Sequence, residues 1–170
     1  AYFFQNGRQL VDVIINTMKF SLKVAGTPIA EFQRLDVPVL EAYTVLAEME
    51  TWEKSTSGLD PMEVSVSVSL PEFDGVIHSV PIAAKVKNEL GEVAYQPIQE
   101  RMERLAAKAK KWALLRHKAN KDKKIAIVFH NYPATNSNIG SAAGLDSPES
   151  VRRLLEKMQA AGYVIDHIPE

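Results

Sequence analysis

One apolar run, Ile125-Ala126-Ile127-Val128-Phe129, entered from Lys123-Lys124, constrains this chain more than any other stretch. A short unbroken run of β-branched and aromatic residues predicts a strand buried on both faces. A long loop follows from His130 to Asp146. Then Ser147-Pro148-Glu149-Ser150 starts a helix, with a hydroxyl at the N-cap, proline at the first helical position and an acid in the first turn. Strand, loop, helix is half of a parallel α/β unit, and ligands of open parallel sheets sit at the carboxyl edge of the strands. The loop is therefore the first place to look for function.

The rest of the chain is read in the same terms. The helix after Pro148 runs to about Ala161, Gly162 ends it, and Tyr163 to Ile168 predicts the next strand. Near the start, Tyr2-Phe3-Phe4 is a strand-like entry and Gln5-Asn6-Gly7 a turn. Leu10, Val11, Ile14, Ile15, Met18 and Leu22 then fall at helical spacing between Arg8 and Lys23, closed by Gly26-Thr27-Pro28. Leu35 to Leu40 predicts a strand with Pro38 at its start or on an edge. Thr44 to Lys54 predicts a helix through Leu46, Met49 and Trp52.

From Met62 to Leu70 apolar and polar residues alternate, as in a strand, but Asp60-Pro61-Met62-Glu63 is a strong helix start, so a helix is favoured. Leu70-Pro71-Glu72-Phe73-Asp74-Gly75 must break it, and Val76 to Lys85 follows as a strand or hairpin arm. Gln96 to about Lys118 is the surest helix, with Ile98, Met102, Leu105, Ala109 and Trp112 as its stripe. The basic residues Arg116-His117-Lys118 and Lys121 to Lys124 read as a solvated helix end, the alternative being a contact for an anion or an acidic partner. The fold class is α/β, with Rossmann-like or flavodoxin-like parallel strand–helix units. Residues 1–45 form a first such unit, 46–95 a connecting region with the Leu70–Gly75 turn and a strand, and 96–170 the long helix and second unit.

Composition adds exclusions. With 170 residues and a net charge of −1, the chain has room for a proper core and no general pull toward nucleic acid or membrane. It has no cysteine, which removes disulfides and thiolate metal sites and fits a cytoplasmic protein. No apolar run approaches the roughly 20 residues of a spanning helix. Starting at Ala1 and ending directly after an expected strand, it reads as cut from something longer.

Three places carry candidate chemistry. Glu72 and Asp74 put two carboxylates in a rigid turn, where they can hold a hard cation, draw one from water or accept protons; the plainer reading is an exposed acidic turn. His130 follows the buried run at the ligand edge and suits a metal ligand or proton acceptor, although a lone histidine there is more often structural. His78, His117 and His167 are scattered, so a self-contained histidine metal site is not expected. The stretch Asn136 to Gly144 has the small residues of a phosphate cradle before a helix, but no Gly-Lys-Ser/Thr follows.

A family resemblance goes further. Leu35-Asp36-Val37-Pro38-Val39, Trp52, Ser57 to Val64, Leu70 to Gly75, Trp112-Ala113, Lys124 to Pro133 and Ile139 to Pro148 resemble, in that order, the large subunit of cobaltochelatase and magnesium chelatase. His130-Asn131-Tyr132-Pro133 and Gly144-Leu145-Asp146-Ser147-Pro148 look like the cobaltochelatase, CobN-type branch. The resemblance implies an internal fragment of a very long tetrapyrrole-binding subunit. That subunit serves ATP-dependent insertion of Co²⁺, less readily Mg²⁺, into a corrin or porphyrin precursor of cobalamin biosynthesis.

Separate AAA+ partner subunits would use the ATP, in keeping with the missing P-loop. Insertion must strip water from the metal and remove pyrrole protons, and a carboxylate beside the macrocycle can do both. On that reading Glu72 is the first choice for metal ligand and base, with Asp74 as its helper. His130 suits cobalt better than magnesium as a second ligand, and Tyr132, Ile139 and Gly140 pack against the ring. The rivals are a non-catalytic module that docks a ligand or partner, and a phosphate or nucleotide-sugar binder using the Gly140–Gly144 loop.

Overall fold

The computed structural model describes residues 3–21, 23 and 34–169; Tyr2, Leu22 and the Gly26-Thr27-Pro28 turn lie outside them. Residues 1–116 and 117–170 form two compact units. The first unit opens with a hairpin of β1 (Phe4–Gln5) and β2 (Arg8–Gln9). Its turn is made by Asn6 and Gly7, both in the left-handed region with φ of 51° and 77°, as a tight two-residue hairpin requires.

A four-stranded sheet follows in the order β3 (Ile14–Asn16), β4 (Val39–Glu48), β5 (Val76–Lys87), β6 (Val93–Pro97). The β3–β4 and β4–β5 pairs are parallel and β5–β6 is antiparallel. The α/β class expected from the sequence holds. The helix expected over Arg8–Lys23 does not form. Its apolar positions lie in a stretch carrying Val11, Val13, Ile14 and Ile15, whose branched side chains favour a strand. The strand expected at Leu35–Leu40 begins after Pro38, at Val39, and runs on through Thr44. The helix placed at Thr44–Lys54 is accordingly shortened to α1 (Met49–Lys54). The short edge strand β6 was absent from the sequence reading.

β4 is covered on both faces. Leu40 and Ala42 pack with Val80 against Leu105 and Ala109 of the long helix α4 (Gln99–His117); Trp112 of the expected stripe packs there too, while Met102 is exposed and Ile98 precedes the helix. Tyr43 and Val45 cluster with Ala84, Met49 and Trp52. Arg116, at the end of α4, is not simply solvated: it donates to the Asp36 carbonyl at 2.7 Å and pairs with Asp12 at 3.6 Å.

The ambiguous stretch after Asp60 is helical. It runs as α2 (Pro61–Val64), a π-helical turn (Ser65–Ser69) and α3 (Leu70–Glu72). Asp60 caps it by accepting from the Glu63 N–H at 2.9 Å. The helix ends within Leu70–Gly75, as expected, but not at Pro71; the chain stays helical to Glu72 and turns at Phe73-Asp74-Gly75. A proline costs a helix its N–H bond and a clash one turn back, and the widened π turn before it gives the ring room.

In the second unit α5 (Ser147–Ala160) forms as expected, capped one residue earlier than the sequence suggested: Asp146, not Ser147, accepts the Glu149 N–H, at 3.1 Å. Gly162 ends it at φ 85°. Ile125–Phe129 forms no regular element and has no strand partner among the described residues, and it is exposed, Val128 by 89%. The buried strand expected there is overturned. Extended amides need a neighbouring ladder, and no described residue of this unit supplies one. Tyr163–Ile168 fails as a strand for the same reason.

Candidate functional site

Glu72 and Asp74 stand at the end of α3 in the first unit, and the structure gives them different surroundings. The Asp74 carboxylate is held: its Oδ1 accepts from the Ser21 hydroxyl at 2.7 Å and from the Lys23 N–H at 3.1 Å. Glu72 is exposed, and its carboxylate has no hydrogen-bond or ion-pair partner among the described residues. The segment that holds Asp74 also touches β4 and the helical stretch. Asn16 Nδ2 donates to Glu41 Oε2 at 2.7 Å, Lys19 Nζ lies 4.0 Å from Glu63 Oε1, and the Phe20 N–H donates to the Val66 carbonyl at 2.9 Å. The turn that presents Glu72 is thus pinned by its neighbour while Glu72 itself stays free to meet a ligand.

The same segment meets two acids that sequence reasoning missed. Glu41 is fully buried in β4, and its Oε1 has no hydrogen-bond partner. Burial pushes its carboxyl up to about 7, against the pull of the Asn16 amide and the Lys19 charge. Glu63, also buried, accepts the Leu46 N–H. The signal was present, since an acid inside Val39-Leu40-Glu41-Ala42-Tyr43 breaks an otherwise apolar run and demands a reason.

The second unit brings His130, Tyr132, Ile139 and Gly140 into one loop cluster. The His130 and Tyr132 rings lie 6.4 Å apart, tilted by 45°. The Gly140 N–H donates to the His130 carbonyl at 2.6 Å, and Tyr132 and Ile139 are 76% and 51% exposed. The loop is tied internally, with Asn138 Nδ2 donating to the Pro133 carbonyl at 2.8 Å. A Cβ on Gly140 would stand 2.5 Å from Phe129 Cδ1, so glycine is required because the loop lies directly on the Phe129 ring.

That ring also lines an apolar hollow of about 560 Å³ with Pro148, Val151, Leu155 and Pro169, within the size range of small-molecule sites. A phosphate cradle does not fit here. The Gly140 amide is already used, Asp146 occupies the start of α5, and Glu149 beside it stays ionised, held down to about 2 by hydrogen bonds from Arg152 and Arg153. Among the described residues no three histidine or acid side chains converge to hold a metal.

The mixed, parallel-centred sheet has a counterpart among solved structures. The chain belongs to the CobN/magnesium chelatase family, whose model matches residues 1–170. It is 41% identical, over 99% of its length, to an uncharacterised protein of Methanocaldococcus jannaschii. Its identity to the aerobic cobaltochelatase subunit CobN of Pseudomonas aeruginosa is 35%, over 92% of its length. The chain spans 15% of the first relative and 13% of the second. Its structure is similar to that of the catalytic subunit of cobaltochelatase from Mycobacterium tuberculosis, with a TM-score of 0.80 and 31% identity, covering 93% of this chain and 14% of that one.

Proposed function

We propose that this chain is a module of a chelatase large subunit that binds a tetrapyrrole and takes part in inserting a divalent metal into it. Cobalt is preferred over magnesium, and separate AAA+ subunits hydrolyse the ATP in the cytoplasm. The observation that carries the reading is the contrast at the end of α3, a free, exposed Glu72 beside an Asp74 held by Ser21 and Lys23. A carboxylate so placed can take an oxygen-ligand position on the incoming metal and accept a pyrrole proton, while Asp74 holds the turn. His130, with Tyr132, Ile139 and Gly140, supplies an exposed imidazole and a surface for the ring, and imidazole suits cobalt.

The test is Glu72→Gln in the complete natural subunit, assayed for Co²⁺ insertion with its ATPase partners. A rate at least about 10-fold lower is expected from loss of one acid–base group; an unchanged rate removes Glu72 from the mechanism. A second reading, a binding module whose chemistry lies elsewhere in the polypeptide, is favoured by the lack of three converging ligands among the described residues. It predicts tetrapyrrole binding by this chain together with full activity of the Glu72→Gln subunit.

A further inference from the structure

A different face of the first unit carries a ligand groove that the reading above does not use. In the pairing of β4 with β5, Leu40 faces Ile77 and Ala42 faces Val80, so β5 holds one extra residue there. This bulge contains His78, whose φ of 55° lies in the left-handed region that a residue with a Cβ seldom adopts. Bulges re-aim side chains, and strained residues persist where the surroundings hold them. The His78 ring lies 5.8 Å from that of Trp112, tilted by 44°. Trp112 itself packs on the core formed by Leu40, Ala42, Val80, Leu105 and Ala109, which fixes its orientation.

Lys108, Lys111, Trp112 and Leu115 follow one stripe of α4 and, with His78, line a groove of about 210 Å³. Neither lysine has an ion-pair or hydrogen-bond partner among the described residues. The acids earlier in the helix are engaged elsewhere, Glu100 with Arg101 and Arg104, Glu103 with Gln99. Two uncompensated ammonium groups one turn apart repel each other, and a bound anion relieves that. Cations near a helix C-terminus are ordinary, but a solvated pair does not call for a floor made of an indole and an imidazole carried on a left-handed backbone.

We infer that this groove binds the edge of a flat conjugated ring, stacked against Trp112 and His78, with a carboxylate on that ring held by Lys108 and Lys111. Its volume admits one small ring with its acid side chain and not a whole macrocycle, so the ligand lies across it by one edge. The inference rests on the chelatase reading only in taking that ring to be part of a carboxylated tetrapyrrole.

The chain has two tryptophans, so Trp52→Phe leaves Trp112 as the sole indole reporter. That variant is titrated with coproporphyrin I, which carries carboxylates, and with the cationic tetra(N-methylpyridyl)porphyrin, while circular dichroism checks that each variant folds. Saturable quenching by coproporphyrin alone is expected, with binding about 10-fold weaker once Lys108→Gln and Lys111→Gln are added, the loss of charge-assisted contacts. Undiminished binding by the lysine variant, equal quenching by the cationic ring, or displacement by AMP would overturn the assignment. The readout is binding at Trp112 and not turnover. A groove that fails while Glu72→Gln still cripples insertion sinks the groove alone; a groove that binds while Glu72→Gln leaves insertion intact sinks the catalytic glutamate alone.

Discussion

Two apolar stretches of this chain have opposite fates. Val39 to Val45 contains a glutamate, yet Leu40, Glu41 and Val45 are wholly buried; Ile125 to Phe129 contains no polar side chain, yet Val128 is 89% exposed. The first lies between β3 and β5, with α4 on one face and α1 on the other. The second has neighbouring helix and loop but no strand among the described residues. Hydrophobicity states what a segment gains by burial, while the elements beside it decide whether burial happens. The cost appears in the buried strand, where Glu41 keeps its place by one bond from Asn16 and a carboxyl pushed up to about 7.

The sharpest way to break this comparison is to truncate one side chain in each stretch. Leu40→Ala leaves a cavity between the sheet and α4, and is expected to cost about 3 kcal/mol in urea or thermal unfolding. Val128→Ala removes atoms already in water and is expected to change stability by less than about 0.5 kcal/mol. If the two cost the same, the second stretch is buried in solution and the contrast collapses.

An effect of similar size comes from the acid in the buried strand. The folded state holds Glu41's proton up to pH about 7, whereas the carboxyl ionises near 4.5 when unperturbed. Between those values the folded chain binds the extra proton. This contribution to stability is therefore complete below pH 4.5 and is lost as pH rises through 7, by up to about 3 kcal/mol. Glu41→Gln, which keeps the shape without the charge, is expected to flatten that window and to leave the variant more stable than the parent at pH 8. A parent whose stability is level from pH 5 to 8 would contradict it.

What the sequence disclosed follows the same division. α4 and α5 were legible because a helix satisfies its own backbone and needs only a stripe or a cap, seen in Leu105 and Ala109 and in the Ser147-Pro148 start. Asp60-Pro61 outweighed the alternation after it because a cap and a fixed φ act locally. Strands depend on partners distant in sequence. Ile14 to Asn16 therefore passed for helix, β4 was cut short at Leu40, and Ile125 to Phe129 was credited with a sheet that the described residues do not provide. For the candidate site, the clustering of His130, Tyr132, Ile139 and Gly140 was legible because they share one loop. Ser21's grip on Asp74, and the buried Glu41 and Glu63, were not, since each joins residues far apart in the chain or lay within a strand read too short.

The loop over the exposed stretch offers the finest discrimination. Gly140 and Gly144 both have left-handed φ, 69° and 74°, but differ in what a side chain would meet. At Gly144 nothing lies within 4 Å of an added Cβ, so alanine brings only backbone strain, about 1 kcal/mol. At Gly140 the same Cβ would press on the Phe129 ring 2.5 Å away, which must shift and open the contact that holds loop to run. Gly140→Ala is therefore expected to cost about 2 kcal/mol, roughly 1 more than Gly144→Ala, with faster amide exchange confined to residues 129–141. Equal costs would mean that Phe129 is free to move away, and that the exposed run is not held by its loop.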